Sequence, residues 1–398
     1  MEKQEIVDLF LGYGYQLDLD SLEYFYQTPD GIRSFLEKLG ETKTNPKTIT
    51  LEVVRALVEK PGMDVELISG TDSKQTKNTV QSYVQHFTTR YEKISKLLLK
   101  RLGLLNLMSI GKISPRAKNF SIIGIVREKD NVQKTVVLED QTGELLVYFD
   151  DGCLEEFRQI LPDEVLGVVC EKKETVGVKK VIWPNLSLKK DVSKTAHDVY
   201  CAFLSDLHMD NAKFNKTAYE KFLDWVGSVK YKKFYIFVLG DVSSKKDDIK
   251  NLFSDLPQSS FKIFLKGEMD PDVEMWDLVL PTPSFIRLEN SVSLLLCHGE
   301  FLTNYSNIWK DLPPTMVMLN LLKKRHINPV FEFNPRIYEH DPFLLGAVPD
   351  IFVSGHFHIP SLMNYKGTTI MSTGSFVSSP SFWLVNLRTR ETLKLDFI

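Results

Sequence analysis

The chain has 398 residues, 43% hydrophobic and 25% charged, with a formal net charge of −3. Its length exceeds what one core usually organises, so two or three domains are expected, and the composition is that of a globular protein rather than a disordered or membrane-embedded one. The charge balance gives no overall attraction to polyanions, so a nucleic-acid ligand would require a local basic patch or a basic partner.

The acidic, polar start Met1–Asp8 lacks the layout of a signal peptide and the longest apolar runs are strand-sized, which predicts a cytoplasmic chain with no membrane span. Residues 1–70 read as a small helical module, with helices over Glu2–Leu11, Asp20–Tyr26, Gly31–Leu39 and Thr50–Glu59 punctuated by Pro29, Pro46 and Pro61. A polar stretch, Ser69–Lys74, then leads into a linker helix within residues 71–103. There Val80, Tyr83, Val84, Phe87, Tyr91, Ile94 and Leu98 recur at three- and four-residue intervals, giving one apolar face to dock.

Residues 104–190 change period. Phe120–Arg127, Lys134–Glu139, Glu144–Phe149, Glu164–Glu171 and Val178–Trp183 are strand-like, with a turn at Asp140-Gln141-Thr142-Gly143 and a short helix over Leu154–Leu161. Five strands with one helix suit a small β-barrel of oligonucleotide-binding (OB) type, a count that other five-stranded barrels share. After the charged connector Lys189–Lys194, residues 195–398 alternate strands with helices such as Asn215–Val226 and Leu312–Lys324. They then turn β-rich over Thr368–Met371, Phe382–Leu387 and Thr392–Phe397, as expected of an α/β domain closed by a second sheet. Cys153, Cys170, Cys201 and Cys297 lie far apart without a Cys-x-x-Cys pair and are expected to be buried free thiols.

Five apolar runs in that last domain, Val199–Leu204, Tyr235–Leu239, Phe261–Leu265, Val292–Cys297 and Ile351–Ser354, each stop at metal-ligand residues: Asp206 and His208, Asp241, Glu268 with Asp270, His298, then His356 and His358. Carboxylates and imidazoles delivered from rigid strand ends to one rim can hold two cations about 3.5–4 Å apart, clamp a phosphate and activate a water. His86, His197, His326 and His340 fall outside these motifs and read as surface or packing residues. The basic run Lys323-Lys324-Arg325-His326 could touch phosphates or simply close a helix, and Ser372 and Ser375 could line a substrate path or form a plain turn.

The series Ser205-Asp206-Leu207-His208, Leu239-Gly240-Asp241, Gly267-x-x-Asp270, Cys297-His298-Gly299, Gly355-His356-Phe357-His358 resembles the calcineurin-like metallophosphoesterases. Together with Arg90–Leu97, Leu138–Gly143, Trp183-Pro184-Asn185 and Leu321–His326, it resembles more narrowly the small subunits of archaeal family-D DNA polymerases. The resemblance implies a multidomain α/β protein: a helical module, an OB-type barrel, and a C-terminal phosphoesterase domain of two sheets flanked by helices. It implies a large catalytic polymerase subunit as partner, single-stranded DNA 3′ ends as substrate, and 3′-to-5′ exonuclease proofreading with two divalent metal ions, of which manganese is the one suggested. Asp206, His208, Asp241 and His358 would hold one ion, and Asp241, Glu268, His298 and His356 the other, with Asp241, His298 and Asp270 in catalytic roles.

One motif departs. The family's Gly-Asn-His-Asp stands here as Gly267-Glu268-Met269-Asp270. Glu268 keeps an oxygen ligand, but Met269 neither donates nor shuttles a proton at neutral pH, so the leaving oxygen loses an acid worth roughly 10²- to 10⁴-fold. A metallated site with weakened hydrolysis is therefore expected, against two alternatives: an inactive accessory subunit, or an unrelated phosphodiesterase or phosphatase.

Overall fold

The computed structural model describes residues 2–27, 29, 32–41, 47–50, 53–54, 63–70, 79–187, 191–273 and 276–397. The first segments form helices α1 (Lys3–Gly12), α2 (Leu19–Gln27) and α3 (Ile32–Glu41), with a two-residue parallel pair of β1 (Gln16–Leu17) and β2 (Thr48–Ile49). Ile6 and Phe10 are one turn apart, so one face of α1 meets Phe25 and Phe35 in a small aromatic core. Most of the expected helix over Thr50–Glu59 lies outside the described residues.

Strand β3 (Val65–Gly70) departs from the expected organisation. Those residues, read from sequence as the end of the helical module, pair antiparallel with a strand of the C-terminal domain, β13 (Ser284–Leu288). An Arg287–Glu66 ion pair fixes the match. Helix α4 (Val80–Leu98) fulfils its periodicity: Ile94 and Leu98 are buried against Ile123, Val165 and Ile182 of the barrel, and Thr79 caps its first turn by accepting from Ser82 N–H.

The barrel consists of β4 (Asn119–Asp130), β5 (Thr135–Asp140), β6 (Gly143–Phe149), β7 (Val165–Lys172) and β8 (Val176–Ile182), closed in the order β4-β5-β6-β8-β7. Closure requires the parallel β6–β8 pair, and helix α5 (Leu154–Gln159) makes the connection from β6 to β7, placing Phe157 on the barrel core.

Two six-stranded sheets then face one another. The first runs β12 (Leu278–Leu280), β11 (Phe261–Leu265), β10 (Phe234–Val238), β9 (Tyr200–Leu204), β18 (Ser381–Asn386), β19 (Thr392–Asp396). The second runs β16 (Ser361–Tyr365), β17 (Thr368–Ser372), β15 (Ile351–Ser354), β14 (Val292–Cys297), β13, β3. Phe203, Phe237 and Leu265 from one sheet interleave with Leu294, Leu296 and Val353 from the other. Helices α6 (Lys216–Ser228) and α7 (Lys246–Asp255) cover the outside of the first sheet, and α8 (Leu302–Ile308) and α9 (Pro314–Lys324) that of the second. The strands β9, β10 and β11 are mutually parallel, as are β14 and β15, so their C-terminal ends share one rim. No helix among the described residues is long and apolar enough to cross a membrane.

The basic run at the end of α9 joins domains rather than meeting solvent. Lys324 is 3% exposed, lies 2.7 Å from Glu164 at the start of β7, donates to Gln159 O and sits over the Trp183 ring. Arg325 takes the left-handed C-cap and donates to Leu345 and Gly346 carbonyls, while His326 bonds Asp341. Arg90 of α4 reaches the same Asp341 and the carbonyls of Asp163 and Pro329. A buried charge is tolerated only when paired, so Lys324→Met should lower unfolding free energy by about 3–5 kcal/mol in urea titrations, and adding Glu164→Gln should recover much of the loss.

Candidate metal centre

Each strand end turns abruptly. Asp206, His208, Asp241, His356 and His358 all have positive φ, between 47° and 66°, and make up five of the fourteen such non-glycine residues described. A left-handed turn costs roughly 1–2 kcal/mol for a residue with a Cβ, so strain is concentrated where the ends of β9, β10 and β15 meet. Gly240, at φ 89°, could not be replaced: a Cβ there would lie 2.6 Å from Gly267 N and 2.7 Å from His298 Nδ1. Gly267 in turn packs on the Asp241 carboxylate so closely that no side chain fits.

Asp206 is fully buried. Its Oδ2 accepts from Ser205 Oγ and from His356 N–H at 2.8 Å, and its carbonyl accepts from Ser375 Oγ and Phe376 N–H. Its Oδ1 has no hydrogen-bond partner among the described residues, although His358 Nε2 stands 3.2 Å away and His208 Nε2 3.8 Å. The two imidazole nitrogens are themselves 3.3 Å apart. On the other side, His298 Nε2 lies 3.3 Å from Asp241 Oδ2 and 3.1 Å from His356 Nδ1. His298 Nδ1 donates to Leu239 O at 2.7 Å, which turns Nε2 toward the cluster.

Ligand atoms of Asp206, Asp241, His298 and His356 thus fall within 4.8 Å of one another, and so do those of Asp206, His208 and His358. An orphaned carboxylate oxygen and facing pairs of imidazole nitrogens call for positive charge between them, and N/O donors of this kind suit a divalent transition metal. The electrostatics agree. Burial disfavours a charged His298, but Asp241 and Asp206 outweigh it and raise the imidazole to about 9. Burial would raise Asp241, yet His298 and the Met269 N–H bring it down to about 2. His358 is raised by Asp206 against burial, and His356 is lowered by burial and by His298.

The structure places His356 with His298 and His358 with His208. The residue common to both groups is Asp206, where the sequence reading has Asp241 bridging. Glu268 is exposed and belongs to neither group, although its charge is felt by His356. Met269 is 47% exposed, and its backbone N–H donates to Asp241 Oδ1 at 3.0 Å.

Asp270 takes a role the motif does not suggest. Buried, it accepts N–H groups from Asp241, Val242, Ser243 and Gly267 at 2.7–3.2 Å, so it fixes the Asp241 turn instead of facing a reacting atom. Burial pushes its carboxyl upward and these donors act against that. Ser372 and Ser375 are fully buried and bond Ile359 O and Asp206 O, so they brace loops and line no substrate path. Ser205 and Thr373, bonded to each other at 2.6 Å behind Asp206, are supports the sequence reading overlooks; Ser205 is marked only by preceding the aspartate.

No protein-family model matches the chain. Its sequence is 25% identical to the DNA polymerase II small subunit of Methanothermobacter thermautotrophicus, over 85% of this chain and 82% of that one. The identity is 24% with the protein of the same name from Archaeoglobus fulgidus, over 88% and 82%. It is also 24% with that of Pyrococcus furiosus, over 79% of this chain and 61% of the other, so the chain spans about three fifths of the Pyrococcus protein. Among solved structures, a novel archaeal phosphodiesterase is 11% identical with a TM-score of 0.34, over 50% of this chain and 99% of that one. Vps29 of Entamoeba histolytica complexed with Zn²⁺ is 14% identical with a TM-score of 0.29, over 50% and 100%. By sequence, the chain is a homologue of the archaeal DNA polymerase II small subunits, the family its motifs resemble.

Proposed function

We propose that the chain is the small subunit of a family-D DNA polymerase, acting in the cytoplasm in DNA replication beside a large subunit that carries polymerisation. In this reading residues 195–398, with β3 added at one edge, form a calcineurin-like phosphoesterase domain that removes nucleotides from single-stranded 3′ ends slowly. Residues 104–190 form an OB-type barrel, residues 71–103 a linker helix and the residues before β3 a helical module. The sequence relatives support the polymerase role, and the barrel's strand order, with a helix between its third and fourth strands, supports the OB assignment.

The observation that carries the hydrolytic reading is the pair of donor groups sharing Asp206, with its buried, unbonded Oδ1. Two divalent cations, manganese first among those suggested, would be held by Asp206, Asp241, His298 and His356 and by Asp206, His208 and His358. When bound, such cations neutralise phosphate charge and lower the pKa of water. The protein's part is to hold the donors: Asp270 keeps the Asp241 turn, Ser205 and Ser375 keep Asp206, and Leu239 O orients His298. Glu268 at the rim adds negative charge where a phosphodiester must approach.

A second reading, an inactive accessory subunit, is favoured by Met269 alone, since no proton donor stands at that position.

Loss of donors should abolish metallation: His356→Ala with His358→Ala should lower manganese content, measured by inductively coupled plasma mass spectrometry, to well below wild type, and equal content would refute the ligand assignment. Met269→His should speed nucleotide release from 3′-labelled single-stranded DNA by roughly 10²-fold or more. If neither protein releases nucleotide in manganese, the accessory reading stands.

A further inference from the structure

Residues 93–118 hold seven lysines and arginines and no aspartate, glutamate or aromatic residue, in a chain whose acids outnumber its bases 52 to 49. Lys93 and Lys96 lie about one turn apart on α4, away from Ile94 and Leu98, which pack on the barrel, and Lys100 follows four residues later in the turn just past the helix end, extending the row. All three are exposed, and none of the seven cations forms an ion pair with a described residue. The chain then leaves the helix with Leu99, Leu102 and Leu105 exposed at 61%, 98% and 73%, while Leu104 between them turns inward onto Gly167. Water-facing leucines this closely spaced make the kind of apolar patch that marks an interaction surface.

The chemistry narrows the occupant. Surfaces that track single-stranded nucleic acid combine cations with aromatic rings on which bases stack, and this segment has no ring. Aliphatic side chains are stabilised only when another apolar surface covers them, and an unpaired row of lysines beside them favours carboxylates flanking that surface. We propose that this face of α4 and the turn after it docks an acidic segment of a partner protein that presents an aliphatic ridge: the leucines cover the ridge and the lysine stripe meets its carboxylates.

The probe rests on the small-subunit reading, for it is the large polymerase subunit of the same source, mixed with the full chain. Binding would be compared by biolayer interferometry at low and high salt for wild type, for Leu102→Asp with Leu105→Asp, and for Lys96→Glu with Lys100→Glu. Circular dichroism would check that these exposed substitutions leave the fold intact, and a photo-crosslinking residue at position 102 would report what lies against it. The leucine pair should weaken binding about tenfold or more, the lysine pair should weaken it and flatten its salt dependence, and the crosslink should fall in an acidic, aliphatic segment. Wild-type binding with both variants unchanged, or a crosslink to DNA or to a second copy of this chain, overturns the inference and leaves the small-subunit reading standing. No binding by wild type overturns that reading, and this proposal with it.

Discussion

Asp206 joins the two sheets, and the site exists because of how its polar atoms are divided. The backbone N–H bonds Gly240 in the neighbouring strand-end turn, the carbonyl takes Ser375 and Phe376, and Oδ2 takes the His356 N–H from the opposite sheet. These bonds fix the carboxylate, so Oδ1 is left aimed at imidazoles on both sides. The parallel course of β9 to β11 and of β14 and β15 makes this possible, since only strands running the same way bring all five ends to one rim.

The rim is costly in the protein alone. It gathers left-handed residues, buries the carboxylates of Asp206, Asp241 and Asp270 and sets ring nitrogens against each other. Arrangements of this kind persist when surrounding structure overdetermines them or when a cation completes them. Here Asp270 with its four N–H donors overdetermines the Asp241 turn, and the donor groups are of a kind that would suit a cation. Met269 and Glu268 stand at the exposed outer edge of the site, and the hydrogen bonds that hold its interior do not use their side chains.

Many strands were legible because buried parallel strands are rich in aliphatic and aromatic residues; Phe261–Leu265, Val292–Cys297 and Ile351–Ser354 stand as expected, despite Lys262 and Ser293 within them. The long helix was legible from its period. Less so were β13, whose Ser284 and Arg287 break the apolar pattern, and α7, a polar helix held by Ile249, Leu252 and the half-buried Phe253. In the site, the motifs named residues that meet at one rim, but the shared carboxylate they implied is Asp241, whereas Asp206 stands in both groups. His356 and His358 both take left-handed turns, and their imidazoles stand by His298 and His208 respectively. The burial of Lys324 to His326 was equally hidden, because a basic run reads as solvated unless the buried Glu164 and Asp341 that meet it are known.

Strand β3 has a consequence for the molecule's outline. Without it the second sheet would end at β13 with a row of open amide and carbonyl groups, a template on which another chain could polymerise. The N-terminal part of the polypeptide, by folding back onto that border, acts as a built-in selvedge, so that the sheet ends on that side in a short, largely water-facing strand of mixed character, with Glu66 and Ser69 beside Leu67 and Ile68.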